Sequence, residues 1–228
     1  MAVRAILLDI EGTTTPIEFV HTTLFGYARA RVQAFLERHE ADPDVQSDIA
    51  LLRAEHAAES PAPHPPMASV SAYVHWLIDH DRKSTGLKSL EGKIWHDGYR
   101  AGELAGEVYP DVAPALQRWQ ERGIDVAIFS SGSIQAQRDL FGHSTSGDLT
   151  PFIRAYFDTT TGPKSAPPSY SSIAAELGHP PAAMVFVSDV AAELDAAHAT
   201  GMVTALCVRG LEAPASPGHR VVHTLADL

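Results

Sequence analysis

Apolar residues along this chain fall into two rhythms. Short, mostly apolar runs occur at Ile6 to Leu8, Ile124 to Phe129, Ala155 to Phe157, Ala183 to Val187 and Val203 to Val208. Runs of that length, bounded by Gly, Ser and Asp, read as buried strands. Between them the spacing turns helical over Val112 to Trp119, Ile134 to Phe141, Tyr170 to Leu177 and Ala191 to Thr200, with Gly123, Gly178 and Gly201 as stops. Strand and helix alternating in this way predict an α/β fold, a parallel sheet with helices on both faces.

The stretch that begins at Pro16 breaks the alternation. Phe25, Ala28, Val32, Phe35 and Leu36, then Ile49 and Leu52, then Val70, Tyr73, Val74 and Leu77 recur at helical intervals, with no buried strand among them. The Pro-rich run from Ser60 to Pro66 divides this stretch and reads as a loop. The spacing therefore predicts a helical cap domain over residues 16–108, inserted into a core formed by residues 1–15 and 109–228. Such an insertion is expected over the carboxyl ends of the strands.

Composition changes the picture mainly by exclusion. A formal net charge of −11 argues against nucleic acid and against a Lys-rich helix on a membrane surface. An anionic substrate would have to be captured by local cations against that field. Cys207 is the only cysteine and sits in a strand pattern, so it reads as a buried, inert thiol, with neither disulfide nor thiolate zinc cluster. The start of the chain lacks a signal-peptide pattern and no apolar stretch approaches membrane-spanning length. A cytoplasmic, monomeric protein is expected. The twelve histidines, among them His39, His56, His64, His143, His179 and His219, sit mostly in polar context and read as surface residues rather than metal ligands.

The chemistry gathers at the predicted strand ends. Asp9 and Glu11 follow the first strand and lead into Gly12-Thr13-Thr14; Ser130-Ser131-Gly132 follows the second. Thr161-Gly162-Pro163-Lys164 follows the third, and Ser188-Asp189 the fourth. Taken singly, each has a plain structural reading as a helix cap or a turn. Together they fall on one edge, because open α/β sheets bind ligands beyond the carboxyl ends of their strands. Asp9 and Asp189 would repel unless a cation lay between them, and an all-oxygen set of that kind favours Mg²⁺ completed by a phosphate oxygen. Ser131 and nearby backbone N–H groups suit a phosphate, and Lys164 adds a point charge for the transferring phosphoryl group. Asp9 is then placed for in-line attack on phosphorus, and Glu11 for proton transfer with the leaving oxygen and later with water.

This set resembles the haloacid dehalogenase-like superfamily. Glu11 stands where most phosphatases of that superfamily carry a second Asp. With Trp95, Gly98, Tyr99, Gly102, Glu103 and Leu104, the run Gly106 to Val112, Ser130 to Ser133 with Gln135 to Gln137, Leu140 to Ser144 and Glu193 to Ala197, it is similar to the enolase-phosphatase (acireductone synthase) family of methionine salvage. The resemblance implies a Rossmann-like core with an inserted helical cap, one Mg²⁺ per chain, and a small phosphorylated diketone as substrate, 2,3-diketo-5-methylthiopentyl-1-phosphate. It implies Asp9 as nucleophile and metal ligand, Glu11 as a ligand through its backbone carbonyl, and Asp189 as the other protein ligand. Ser130, Ser131, Gly132 and Lys164 would bind substrate phosphate. Ser165-Ala166-Pro167-Pro168 departs from the polar residues usual after the lysine and is expected to stiffen that loop.

Two alternatives remain at this level. One is a phosphatase of the same fold for another metabolite, without enolase chemistry. The other is a non-catalytic binding protein on the same scaffold, although Asp9, Lys164 and Asp189 are all present. The aromatic residues Phe19, Phe25, Tyr73, Trp76 and Trp95 read first as core and second as lining for a substrate tail.

Overall fold

The computed structural model describes residues 2–59, 64, 66–80, 82–210 and 218–228. Most of the expected Pro-rich loop, residues 60–63 and 65, lies outside them. Six strands form one parallel sheet: β1 (Ala5–Leu8), β2 (Asp125–Phe129), β3 (Ala155–Phe157), β4 (Met184–Ser188), β5 (Val203–Cys207) and β6 (Arg220–Val222). Their order is β3-β2-β1-β4-β5-β6, so β1 is central, with Leu8 in register with Ile128 on one side and Val187 on the other. Central parallel strands are buried on both faces, which is why β1 and β4 read as unbroken apolar runs. β6 is too short for any periodicity to announce it.

The chain divides into two compact units, residues 1–17 with 105–228 and residues 18–104. In the first, α5 (Val112–Glu121), α6 (Ile134–Gly142), α7 (Pro167–Leu177) and α8 (Ala191–His198) join the strands. Leu7, Phe129, Tyr170, Ile173, Phe186, Leu194 and Ala197 pack into its core. Pro167 and Pro168 are not the loop-stiffening pair that the sequence suggests. They are the first two residues of α7, where a missing N–H costs nothing.

The second unit is helical. A π-helical turn (Phe19–Leu24) leads into α1 (Phe25–Arg38), and α2 (Pro43–Ala58), α3 (Val70–Asp79) and α4 (Thr85–Arg100) follow. Asp42, Ser69 and Ser84 each accept a backbone N–H at the start of α2, α3 and α4. Val32, Phe35, Leu52, Tyr73, Leu77, Leu90 and Ile94 form its core. Tyr73 therefore sits among core residues, and the Trp95 indole donates to the Leu24 carbonyl at 2.8 Å. His64, expected at the surface, is buried and lies 3.8 Å from the His56 ring, centroid to centroid.

Glu91 is 5% exposed on α4, and burial pushes its carboxyl up to about 8. Its folded value lies above its unfolded one, so the native state binds the extra proton. Stability is full below the usual carboxylate range and is lost as pH rises through about 8. Glu91→Gln is expected to melt higher than wild type, with a gap on the order of a few kcal/mol that widens from about pH 6 to about pH 9. Melting curves that keep a constant gap across that range would remove burial of Glu91 as the cause.

Candidate active site

Asp9 follows β1 directly and is 4% exposed. Its N–H donates to the Val187 carbonyl of β4 at 3.0 Å, so the sheet ladder fixes its backbone. The next residues curl into a tight turn, in which the N–H groups of Thr13, Thr14 and Thr15 all donate to the Ile10 carbonyl. The Thr14 hydroxyl donates to the Asp9 carbonyl at 3.0 Å. Glu11 is half-buried on this turn and bridges Thr15 through the main chain.

The turn is braced from outside. Arg209, just beyond β5, donates to the Thr13 carbonyl through Nε at 3.0 Å and Nη2 at 2.6 Å. Its Nη1 donates to both carboxylate oxygens of Asp111 at 2.8 Å, and its guanidinium lies 4.3 Å from the centre of the Tyr109 ring. The Tyr109 N–H donates to the Thr14 carbonyl at 3.0 Å. The sequence motif around Tyr109 and Asp111 thus acts as a buttress for the turn that carries Glu11.

Four side chains close a ring at Asp9. The Lys164 ammonium donates to Asp9 Oδ1 at 2.6 Å and lies 2.7 Å from Glu193 Oε2. The Ser188 hydroxyl lies 3.2 Å from Asp9 Oδ2 and 3.1 Å from Glu193 Oε2, and its single proton serves either. Asp9 Oδ1 also accepts the Ile10 N–H at 2.8 Å, which leaves Oδ2 the less encumbered oxygen. Asp189 sits against the turn at Gly12. A methyl group on Gly12 would overlap Asp189 Oδ2, and Gly12 has φ +66°, a backbone that only glycine adopts freely.

Ser130, Ser131 and Gly132 lie beyond the end of β2, the strand beside β1. Ser130 is buried and its hydroxyl accepts the Gly132 N–H at 3.1 Å; Ser131 is exposed. The Ser133 hydroxyl accepts the Ala136 N–H and Asp158 the Ile134 N–H, which together define the start of α6.

The sequence pattern places Asp9, Lys164 and Asp189 at strand ends but does not mark Glu193 and Ser188 as members of the ring. Glu193 lies in the first turn of α8, where an acidic residue needs no explanation beyond the helix dipole. Its offset of four from Asp189 was the available signal.

With Asp189 added to the ring the site is electrostatically unbalanced, three carboxylates against one ammonium. Burial, and then the charge of Asp9, pushes Asp189 up to about 6. Burial and Asp9 likewise raise Glu193, against the pull of Lys164. For Lys164 burial works downward, but Asp9 and Glu193 outweigh it and hold the ammonium above its usual range. An excess of carboxylate around Asp9 and Asp189 suits a hard divalent cation. Among the described residues no three His, Cys, Asp or Glu side chains form a complete cage. The donor set fits a cation that keeps waters and takes only one or two carboxylates.

A parallel sheet with carboxylates, a lysine and a serine turn at its strand ends defines a phosphoryl-transfer scaffold of the haloacid dehalogenase type, and a family model for haloacid dehalogenase-like hydrolases matches residues 3–201. Enolase-phosphatase E1 of Synechococcus elongatus is 52% identical over all of this chain and 98% of the relative. Enolase-phosphatase E1 of Klebsiella oxytoca is 47% identical over 94% of this chain and 92% of its own. Among solved structures, the UTR4 protein of Saccharomyces cerevisiae superposes with a TM-score of 0.79 at 32% identity, covering 99% of this chain and 100% of that one. The chain belongs to the enolase-phosphatase family of haloacid dehalogenase-like hydrolases.

Proposed function

We propose that this protein converts 2,3-diketo-5-methylthiopentyl-1-phosphate through its enol to the acireductone and inorganic phosphate. The observation that carries the reading is the contact of Asp9 with Lys164 at 2.6 Å, at the end of the central strand. It brings a nucleophile and a phosphate-binding cation to one point. The full-length likeness to enolase-phosphatases supports the choice of substrate.

Mg²⁺, one per chain, would be held by Asp9, Asp189 and the Glu11 backbone carbonyl; when bound it offsets the carboxylate excess and polarises substrate oxygens. The remaining chemistry belongs to the chain. Asp9 attacks phosphorus in line and forms an aspartyl-phosphate as the bond to the enol oxygen breaks. Glu11 gives its proton to that oxygen, then takes one from the water that hydrolyses the aspartyl-phosphate. Lys164 and the Ser130 to Gly132 turn hold the phosphoryl oxygens. Enolisation needs a base at a carbon acid, and Glu11 reaches one methylene further than the aspartate usual at its position. A monomer in the cytoplasm completes the reading, in keeping with a lone cysteine that is buried and whose thiol burial pushes up to about 11.

Turnover of the diketone phosphate with Mg²⁺ should show a transient enol absorbance before phosphate appears. Chelation should suppress phosphate release, and Glu11→Asp should slow at least one of the two phases. Phosphate released by the wild type with no enol intermediate would make this a phosphatase without enolase chemistry.

A further inference from the structure

Lys164 sits on a loop, yet its ammonium has to meet Asp9 and Glu193 within a few tenths of an ångström. The loop lies just before α7, whose first two residues are Pro167 and Pro168. An ordinary helix start offers free backbone N–H groups to whatever precedes it. Two prolines remove two of those donors. The next two residues replace them with hydroxyls. Ser169 Oγ donates to the Pro163 carbonyl at 2.8 Å, and the Tyr170 hydroxyl donates to the carbonyl of Lys164 itself at 2.6 Å. Gly162, with φ +140°, comes so close to Ser169 that a methyl group there would overlap Ser169 Oγ.

Tyr170 is completely buried. Its ring packs edge-on against Phe129 of β2 at 5.6 Å and is tilted against Phe186 of β4 at 5.1 Å, centroid to centroid. Those strands flank β1, which presents Asp9. The phenol is therefore a strut from the sheet to the lysine backbone.

We propose that Tyr170, with Ser169 beside it, is a positioning residue that sets Lys164 against Asp9, a role that rests on the assignment of Lys164 to phosphoryl transfer. The hydroxyls act through the main chain, since both end on backbone carbonyls. Closely packed aromatic contacts fix the ring, so the hydroxyl transmits the geometry of the sheet to the loop. The device compensates for the two prolines that follow Lys164.

The test is a double-mutant cycle on kcat/KM for the diketone phosphate. Tyr170→Phe removes one oxygen and keeps the ring packing. It should lower kcat/KM about tenfold, mostly in kcat, with a melting temperature lowered by only a few degrees. In a Lys164→Met background the same substitution should cost less than about twofold, because the group it positions is gone. Ser169→Ala should give a smaller loss, and Ser169→Thr, which keeps a hydroxyl, should restore it. Equal losses from Tyr170→Phe in both backgrounds, or no loss in the wild-type background while Lys164→Met is strongly impaired, would overturn the clamp alone. A fully active Lys164→Met would overturn both the clamp and the catalytic reading of the lysine.

Discussion

Asp9→Asn should release phosphate from the substrate more slowly by a factor on the order of 10⁴ or more, with the fold intact. An amide is isosteric with the carboxylate but cannot form an acyl phosphate. The Ile10 N–H at 2.8 Å can still find an oxygen at position 9. Lys164 loses one of its two anionic partners and keeps Glu193 at 2.7 Å. Asp189 is relieved of a neighbouring like charge that helps to push it up to about 6. The variant should therefore be at least as stable as the wild type, since a buried cluster with fewer like charges is easier to fold. Phosphate release and a melting curve on the same preparation check both halves. Mass spectrometry of quenched turnover should also find phosphorylated protein in the wild type and none in the variant. Release at the wild-type rate would end the role of Asp9 as nucleophile.

The second large effect is expected at a residue with no chemistry of its own. Gly12→Ala places a methyl group where Asp189 Oδ2 now lies, on a backbone at φ +66°. The strain of that backbone is worth about 1–2 kcal/mol. The overlap itself is cheap in stability, because a carboxylate at the end of a side chain can swing away. It is expensive in function for the same reason. A displacement of about 1 Å in a reacting array costs about 10²-fold, and both Asp189 and the turn that carries Glu11 move here. Phosphate release should fall about 10²-fold while the melting temperature drops by only a few degrees. Full activity in Gly12→Ala would show that the close approach of Asp189 to this turn is incidental.

Much of the site was legible because buried parallel strands advertise themselves. The runs at Ile6 to Leu8 and Ala183 to Val187 carry their polar groups immediately after the apolar residues, and so the residue pattern alone marks Asp9, Ser130, Ser131 and Asp189 as neighbours. Lys164 was legible only by its place in the order, since β3 is three residues long. What stayed hidden were roles defined by a partner. Ser188 reads as the last residue of a strand, yet it is fully buried and its hydroxyl faces both Asp9 and Glu193. Tyr170 reads as one more core position on a helix, which its ring is, and nothing in the pattern says where its hydroxyl ends. Arg209 lies just beyond β5, and its hydrogen bond to Thr13 joins residues 196 positions apart. The prolines after Lys164 read as loop residues because proline stiffens a loop and starts a helix by the same fixed φ. Only the backbone that follows separates those uses.

The strand order has a consequence for how the molecule comes into being. β1 leaves the ribosome first, but its two neighbours are β2, at Asp125–Phe129, and β4, at Met184–Ser188. The opening strand must wait while residues 9–124 are made before either flank is covered. The helical unit, residues 18–104, holds one continuous stretch of sequence and can mature during that interval. The ring of Asp9, Lys164, Ser188 and Glu193 closes only after the last of these has emerged, so a chain truncated before α8 carries Asp9 with the ring still open.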